Sequence, residues 1–196
     1  MKTHFYFIGL CGQTILLRAA VVLLALGWSN FALCDEIHDA AMAGDVGKVE
    51  ALLKHDPDLV FSTNYGANNK GWTPLHVAAL FDRTNVAKVL LANKADVDAK
   101  DSDAHTPLHM AAGKGKEDFV ALLIANKADI NAKDIMKGTP LIVAADNNRK
   151  EVVELLLANK VEVNARNIEG WTALRFAEER GHKEVADALR AHGANE

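Results

Sequence analysis

"GWTPLHVAALFDRTNVAKVLLANKADVDAKDSD", residues 71–103, runs straight into "AHTPLHMAAGKGKEDFVALLIANKADINAKDIM", residues 104–136. The two segments have the same length and the same punctuation. Thr73-Pro74-Leu75-His76 returns as Thr106-Pro107-Leu108-His109, then as Thr139-Pro140-Leu141-Ile142 and Thr172-Ala173-Leu174-Arg175, each step being 33 residues. Small or apolar pairs follow in the same register: Ala78-Ala79, Ala111-Ala112, Ala144-Ala145 and, less strictly, Ala177-Glu178.

The chemistry of this motif is that of a helix start. A Thr side chain accepts a hydrogen bond from an otherwise unpartnered backbone N–H, which stabilises the helix by about 1 kcal/mol. Pro in the first helical position loses nothing, because its missing N–H had no partner there. His76 and His109, three residues after the cap, can reach back to it as Glu does in a capping box. The Ala pairs keep one helical face thin enough for neighbours to approach. Asp82, Gly115, Asn148 and Gly181, again 33 apart, supply residues that tolerate positive φ for a tight reversal. A second helix follows, carried by Val86, Val89, Leu90 and Leu91 in one copy and by Val152, Val153, Leu155, Leu156 and Leu157 in another. An extended phrase of the type "ADVDAKD" then leads to the next Thr-Pro-Leu.

One such unit cannot bury its own apolar faces, whereas stacked units bury them against each other. On these residues the chain over 35–196 resembles the ankyrin-repeat family, whose signature is a 33-residue period with TPLHxAA. The resemblance implies an all-α ankyrin-repeat solenoid of stacked helix-turn-helix units with protruding β-turn or hairpin loops. The expected division is a leader over 1–34, then a degenerate N-terminal capping unit with an extended loop over 35–70. Repeats follow at 71–103, 104–136 and 137–169, and a C-terminal capping repeat at 170–196 closes the array. In the first unit Asp35-Glu36 stands in place of Thr-Pro, suited to a helix N-terminus. The surplus of five residues between His38 and His76 is placed in a flexible surface loop, Pro57–Gly71, with Tyr65 at its tip. Lys94, Lys127 and Lys160 occupy the slot where the family has Gly and where His192-Gly193-Ala194 keeps it, so either Lys or the preceding Asn must take a left-handed conformation. Gly138 precedes Thr139 directly, one residue later than the Gly of "KGWTPL" and "EGWTAL", which predicts a different finger tip in the fourth unit.

The first 34 residues have a basic start, an apolar stretch and a small-residue end, the layout of a secretory signal peptide. Its purest apolar run, Ala19 to Leu26, reaches only about 12 Å as a helix, against a hydrocarbon core of ~30 Å. Export to a periplasmic or extracellular space is therefore expected, with a bacterial source favoured. Membrane attachment follows only if the leader stays uncleaved or Cys34, in the lipobox-like "FALC", is lipidated. Cys11 and Cys34 are the two cysteines of the chain, so the body after the leader has no internal disulfide to rely on.

Residues 1–34 contain Lys2 and Arg18 and no acid, so the remainder carries 20 bases and 26 acids. A body of net charge −6 gives no electrostatic reason to bind nucleic acid, where affinity rests on neutralising phosphates. His105 and His109 have an HxxxH spacing, but His105 precedes the cap Thr106, and the Glu of a zinc helix is missing. "GKGK", Gly113 to Lys116, lacks the full phosphate-loop arrangement. Asp96, Asp98, Asp129, Asp134 and Glu162 read as periodic solvated loop positions. Near-identical units present like groups in rows, whereas catalysis needs unlike groups converging on one point. The sequence thus predicts a non-enzymatic, monomeric binding scaffold with no catalytic residue, metal, cofactor or small-molecule substrate.

The resemblance further implies that a protein partner binds the concave side, formed by loop tips and first helices. Trp72, Leu80, Phe81, His105, Lys114, Ile135, Met136, Ile168 and Trp171 fall there, with Tyr65 on the long loop as a further contact. Large apolar and aromatic side chains in exposed positions mark interaction surfaces. A tethered adaptor and a secreted effector or toxin-neutralising binder are the alternatives to a freely exported scaffold.

Overall fold

The computed structural model describes residues 23–63 and 71–195; Tyr65 and the first 22 residues lie outside that range. Among the described residues the chain is all helical apart from turns and a single bridge residue at Trp72. Ten helices form five pairs: α1 (Leu23–Ala43) with α2 (Val46–His55), α3 (Pro74–Leu80) with α4 (Thr84–Ala92), α5 (Pro107–Lys114) with α6 (Glu117–Ala125), α7 (Pro140–Asp146) with α8 (Lys150–Ala158), and α9 (Ala173–Glu179) with α10 (Lys183–Ala191). The odd-numbered helices pack in one row and the even-numbered in another. The Ala pairs of the first row are fully buried, and so are Leu90, Phe119, Leu123, Leu156 and Leu189 of the second. Each such large side chain contributes about 1.5–3 kcal/mol of apolar burial, which a lone pair of helices would forgo.

Each reversal inside a pair turns on one left-handed residue: Gly44, Asp82, Gly115, Asn148 and Gly181, with φ between 55° and 81°. The slot after the second helix is left-handed too. Lys94, Lys127 and Lys160 take φ of 66°, 67° and 59°, so Lys rather than Asn adopts the costly conformation. The preceding Asn93, Asn126 and Asn159 instead donate their side-chain amides to the carbonyls of Val89, Leu122 and Leu155.

Three sets of bonds join successive units. At the helix starts, Thr73 and Thr106 donate their backbone N–H to Nδ1 of His76 and His109. That fixes the tautomer, leaving Nε2–H to donate to the carbonyls of His105 (3.0 Å) and Gly138 (3.2 Å) in the following unit. His38 of the first unit places Nε2 2.8 Å from the carbonyl of Trp72, but its Nδ1 faces the carbonyl of Cys34 instead of a cap N–H. At the reversals, the side chain after the left-handed residue reaches the end of the previous inner helix. Arg83 donates to the carbonyl of Met42, Arg149 to that of Gly113 and His182 to that of Asp146. The arginine cations suit these carbonyls at helix C-termini. At the fingers, backbone N–H groups of Ile135 and Ile168 donate to the carbonyls of Asp103 and Met136.

The structure departs from the sequence reading in four places. Asp35 and Glu36 do not start a helix; they lie exposed within α1, which runs through the 34/35 boundary and buries Cys34 in the core. The first part of the supposed loop is packed: Pro57–Phe61 forms a 3-10 helix with Leu59 and Val60 buried, because Asp56 caps it and Pro57 sets its φ. The fourth finger has the same turn as its neighbours, since the left-handed residues Gly71, Ala104, Lys137 and Gly170 keep strict 33-residue register. Gly138 therefore occupies the place of Trp72, His105 and Trp171 and not the turn.

The loop acids are also more than solvated decoration. Asp101 Oδ1 accepts from the N–H of Asp103 and His105, Asp134 Oδ1 from Met136 and Gly138, and Asn167 Oδ1 from Glu169 and Trp171. Each of these three fingers is thus wound around one carboxylate or amide oxygen. Asp98 and Asn131 accept from the N–H of Asp129 and Glu162 and so link successive units.

Two expectations follow. Lys94→Gly removes the side chain from a left-handed position costing about 1 kcal/mol or more, so its urea midpoint should rise; an unchanged or lower midpoint would show that the strain is absorbed elsewhere. The second concerns pH. Burial holds His76 and His109 below the ordinary histidine pKa, so the fold keeps them neutral. As pH falls below about 6.5 the unfolded chain takes up protons that the folded chain refuses, and stability is lost. His109→Ile, which copies Ile142, should cost about 1 kcal/mol near pH 7.5 through the lost hydrogen bond. The gap to the parent should narrow towards pH 5.5, as read by urea denaturation at both pH values.

Candidate functional site

The inner helices and finger bases of the second, third and fourth units enclose a cavity of about 310 Å³. Gly113, in register with Leu80, Asp146 and Glu179, lines it together with Leu80 and Val143. The approach there is close: a Cβ on Gly113 would lie 3.0 Å from Val143 Cγ1.

Four of the residues singled out from sequence meet at this cavity: Trp72, Leu80, His105 and Lys114. Trp72 is half-buried, and its indole N–H donates to Asp101 Oδ2 at 3.0 Å, which fixes the ring over the cavity mouth. His105 stands between two carboxylates, its Nδ1 3.5 Å from Asp101 Oδ1 and its Nε2 3.5 Å from Asp134 Oδ2. Its ring meets that of His109 edge-on, with centroids 5.8 Å apart. Lys114 is exposed, and Leu80 is half-buried.

The other sequence candidates lie elsewhere. Phe81, the residue that ends α3, is 41% exposed beside Leu80 but does not line the cavity. Ile135 and Met136 on the fourth finger and Ile168 on the fifth are exposed together, and the Ile168–Met136 backbone bond makes them one apolar ridge. Trp171 is set apart from both groups. The Arg175 guanidinium lies 4.6 Å above its ring and Phe176 packs 5.1 Å from it, so its indole is covered from within its own unit.

Sequence reasoning missed Asp101, Met110, Gly113 and Val143 in the lining. Gly113 was legible in principle, because aligning the units puts it alone among larger side chains; Asp101 was hidden among many loop acids.

Asp101, Asp103 and His105 offer ligand atoms within 4.8 Å of one another, the one such grouping among the described residues. Both oxygens of Asp101 already accept N–H bonds, two from its own finger and one from Trp72, so they hold the turn and the indole. The arrangement juxtaposes an aromatic face, apolar walls and carboxylates, which suits recognition of a side chain better than bond-making chemistry.

The ankyrin-repeat family model, in three-copy form, matches residues 37–134 and 108–196. An ankyrin repeat protein of fowlpox virus (strain NVSL) is 37% identical over 71 residues, 35% of this chain and 16% of its own length. Protein phosphatase 1 regulatory subunit 27, from human and from mouse, is 31% identical over 67 residues, 34% of this chain and 40% of that protein. The chain thus spans less than half the length of these relatives. Family match, helix pairs and finger register agree: the chain belongs to the ankyrin-repeat family.

Proposed function

We propose that the chain binds one protein partner on the face formed by the fingers and inner helices of the second to fourth units. The observation that carries this reading is the open cavity beside Trp72 and Leu80, together with exposed Phe81 and the apolar ridge of Ile135, Met136 and Ile168. Trp72 packs partly against the core, whereas Phe81, Ile135, Met136 and Ile168 are exposed at positions that a repeat array leaves free to be polar. Exposed aromatic and branched anchors around a concavity are the composition of an interaction hot spot. The chain is read as a non-catalytic scaffold, acting as a monomer and without affinity for nucleic acid.

The basic-apolar-small layout of residues 1–34 supports export, so the partner is sought in the periplasm or outside the cell. Attachment through a lipidated Cys34 is the less favoured route, because Cys34 is buried and its carbonyl accepts from His38 Nδ1 within α1. No helix among the described residues is long and apolar enough to cross a membrane.

The test uses the full chain, tagged at its C-terminus, as bait in fractions of the source cells, beside a Leu80→Ala/Phe81→Ala variant. A partner retained by the parent and released by the variant, whose melting curve remains cooperative, is the expected result. Equal retention by both would move the binding surface away from this face.

A further inference from the structure

Resting on that concave-face reading, we propose that the cavity between the second, third and fourth units is the anchor site for one arginine side chain of the partner. The argument starts from charge. Asp101 and Asp134 both flank His105 at 3.5 Å, so two carboxylates face one imidazole, whichever protonation state it holds. Asp101 and Asp103 are the two acids of the cavity wall, against Lys114, which is exposed; Asp134 stands behind His105. The Asp101 side chain is only 1% exposed, so its charge acts through protein and not through bulk water. A carboxylate has about four lone-pair sites, and three at Asp101 are taken by the N–H groups of Asp103, His105 and Trp72. With its remaining side against His105 Nδ1, Asp101 acts on a ligand through its field, while Asp103, half-buried in the cavity wall, is the carboxylate within a ligand's reach.

Shape and aromatic chemistry agree with charge. The volume of about 310 Å³ accommodates one long side chain, with room left for water. Leu80 and Met110 give an apolar wall for an aliphatic stem, and the indole of Trp72 gives a face for a cation. A guanidinium is planar, weakly hydrated and able to stack on an aromatic ring while its edge donates to a carboxylate. An ammonium can do only part of this, and a carboxylate entering the cavity would meet acids on two sides. A neutral apolar side chain would cover Asp103 in the cavity wall without supplying a donor.

The experiment uses the full chain and three small probes: N-acetyl-arginine methylamide, its uncharged isostere N-acetyl-citrulline methylamide, and N-acetyl-glutamate methylamide. Binding is read from the Trp72 indole N–H resonance, assigned with Trp72→Phe. The arginine probe should shift it saturably, with affinity about tenfold or more above the citrulline probe, and added salt should weaken the binding. Asp103→Asn should bring the arginine probe down towards the citrulline level while keeping the Asp101 bonds that wind the finger and hold the Trp72 indole. Equal affinity for arginine and citrulline, preference for glutamate, or no shift with the arginine probe would each overturn the proposal, and the probe comparison on the parent chain stands even if Asp103→Asn fails to fold. If the partner is still released by Leu80→Ala/Phe81→Ala while the arginine probe leaves Trp72 unmoved, the concave-face reading survives and the arginine anchor alone fails.

Discussion

An imidazole ring carries two nitrogens that point in different directions, and in this protein the two directions belong to different repeats. His76 and His109 take a proton donor from their own helix cap on one side and give a proton to the neighbouring finger on the other. The bond that starts a helix and the bond that sets the distance to the next unit are therefore made by one buried, uncharged group. Unpartnered, such a ring would cost more than it contributes. Satisfied on both sides, it allows a single stacking register, and the positions of Ala pairs, fingers and cavity follow from that register.

Much of this was legible in the sequence because the period is strict. A motif that returns every 33 residues exposes the role of each position by comparison, so helix caps, reversals and apolar rows could be placed from residue types alone. The left-handed reversals at Asp82, Gly115, Asn148 and Gly181 came out as expected. The reading failed where the period is broken or where a residue type hides its partner. Asp35-Glu36 looked like a helix start by alignment, but the apolar residues before it allow α1 to continue, and propensity within a helix tolerates exposed acids. Gly138 looked like a displaced turn residue, whereas the turn is fixed by the Asp134 side chain four residues earlier and accepts Lys137 at positive φ.

The site was less legible than the fold for the same physical reason. Repetition reveals what units share, and a binding surface consists of what they do not share. Trp72 and Trp171 occupy equivalent positions and look alike in sequence, yet one borders a cavity and the other lies under Arg175 and Phe176. The difference is set one unit further along, by Asp101 beneath the first indole and by Gly113 beyond it. Such pairwise contacts between units cannot be read from either unit alone.

The joint between the fourth and fifth units has a property of its own. Where the second and third units place an imidazole, the fourth has Ile142, which packs but cannot donate to the next finger. The array is then a chain of links with unequal fastening, still tied there by Arg180 to Asp146, His182 to the Asp146 carbonyl and Ile168 to Met136. In a structure whose stability is the sum of neighbour terms, a weaker interface localises opening. Mechanical load would fray the last helix pair before disturbing the cavity, so the end of the solenoid can yield while its recognition surface keeps its shape; acid, which acts on His76 and His109, would loosen the cavity's own joints instead.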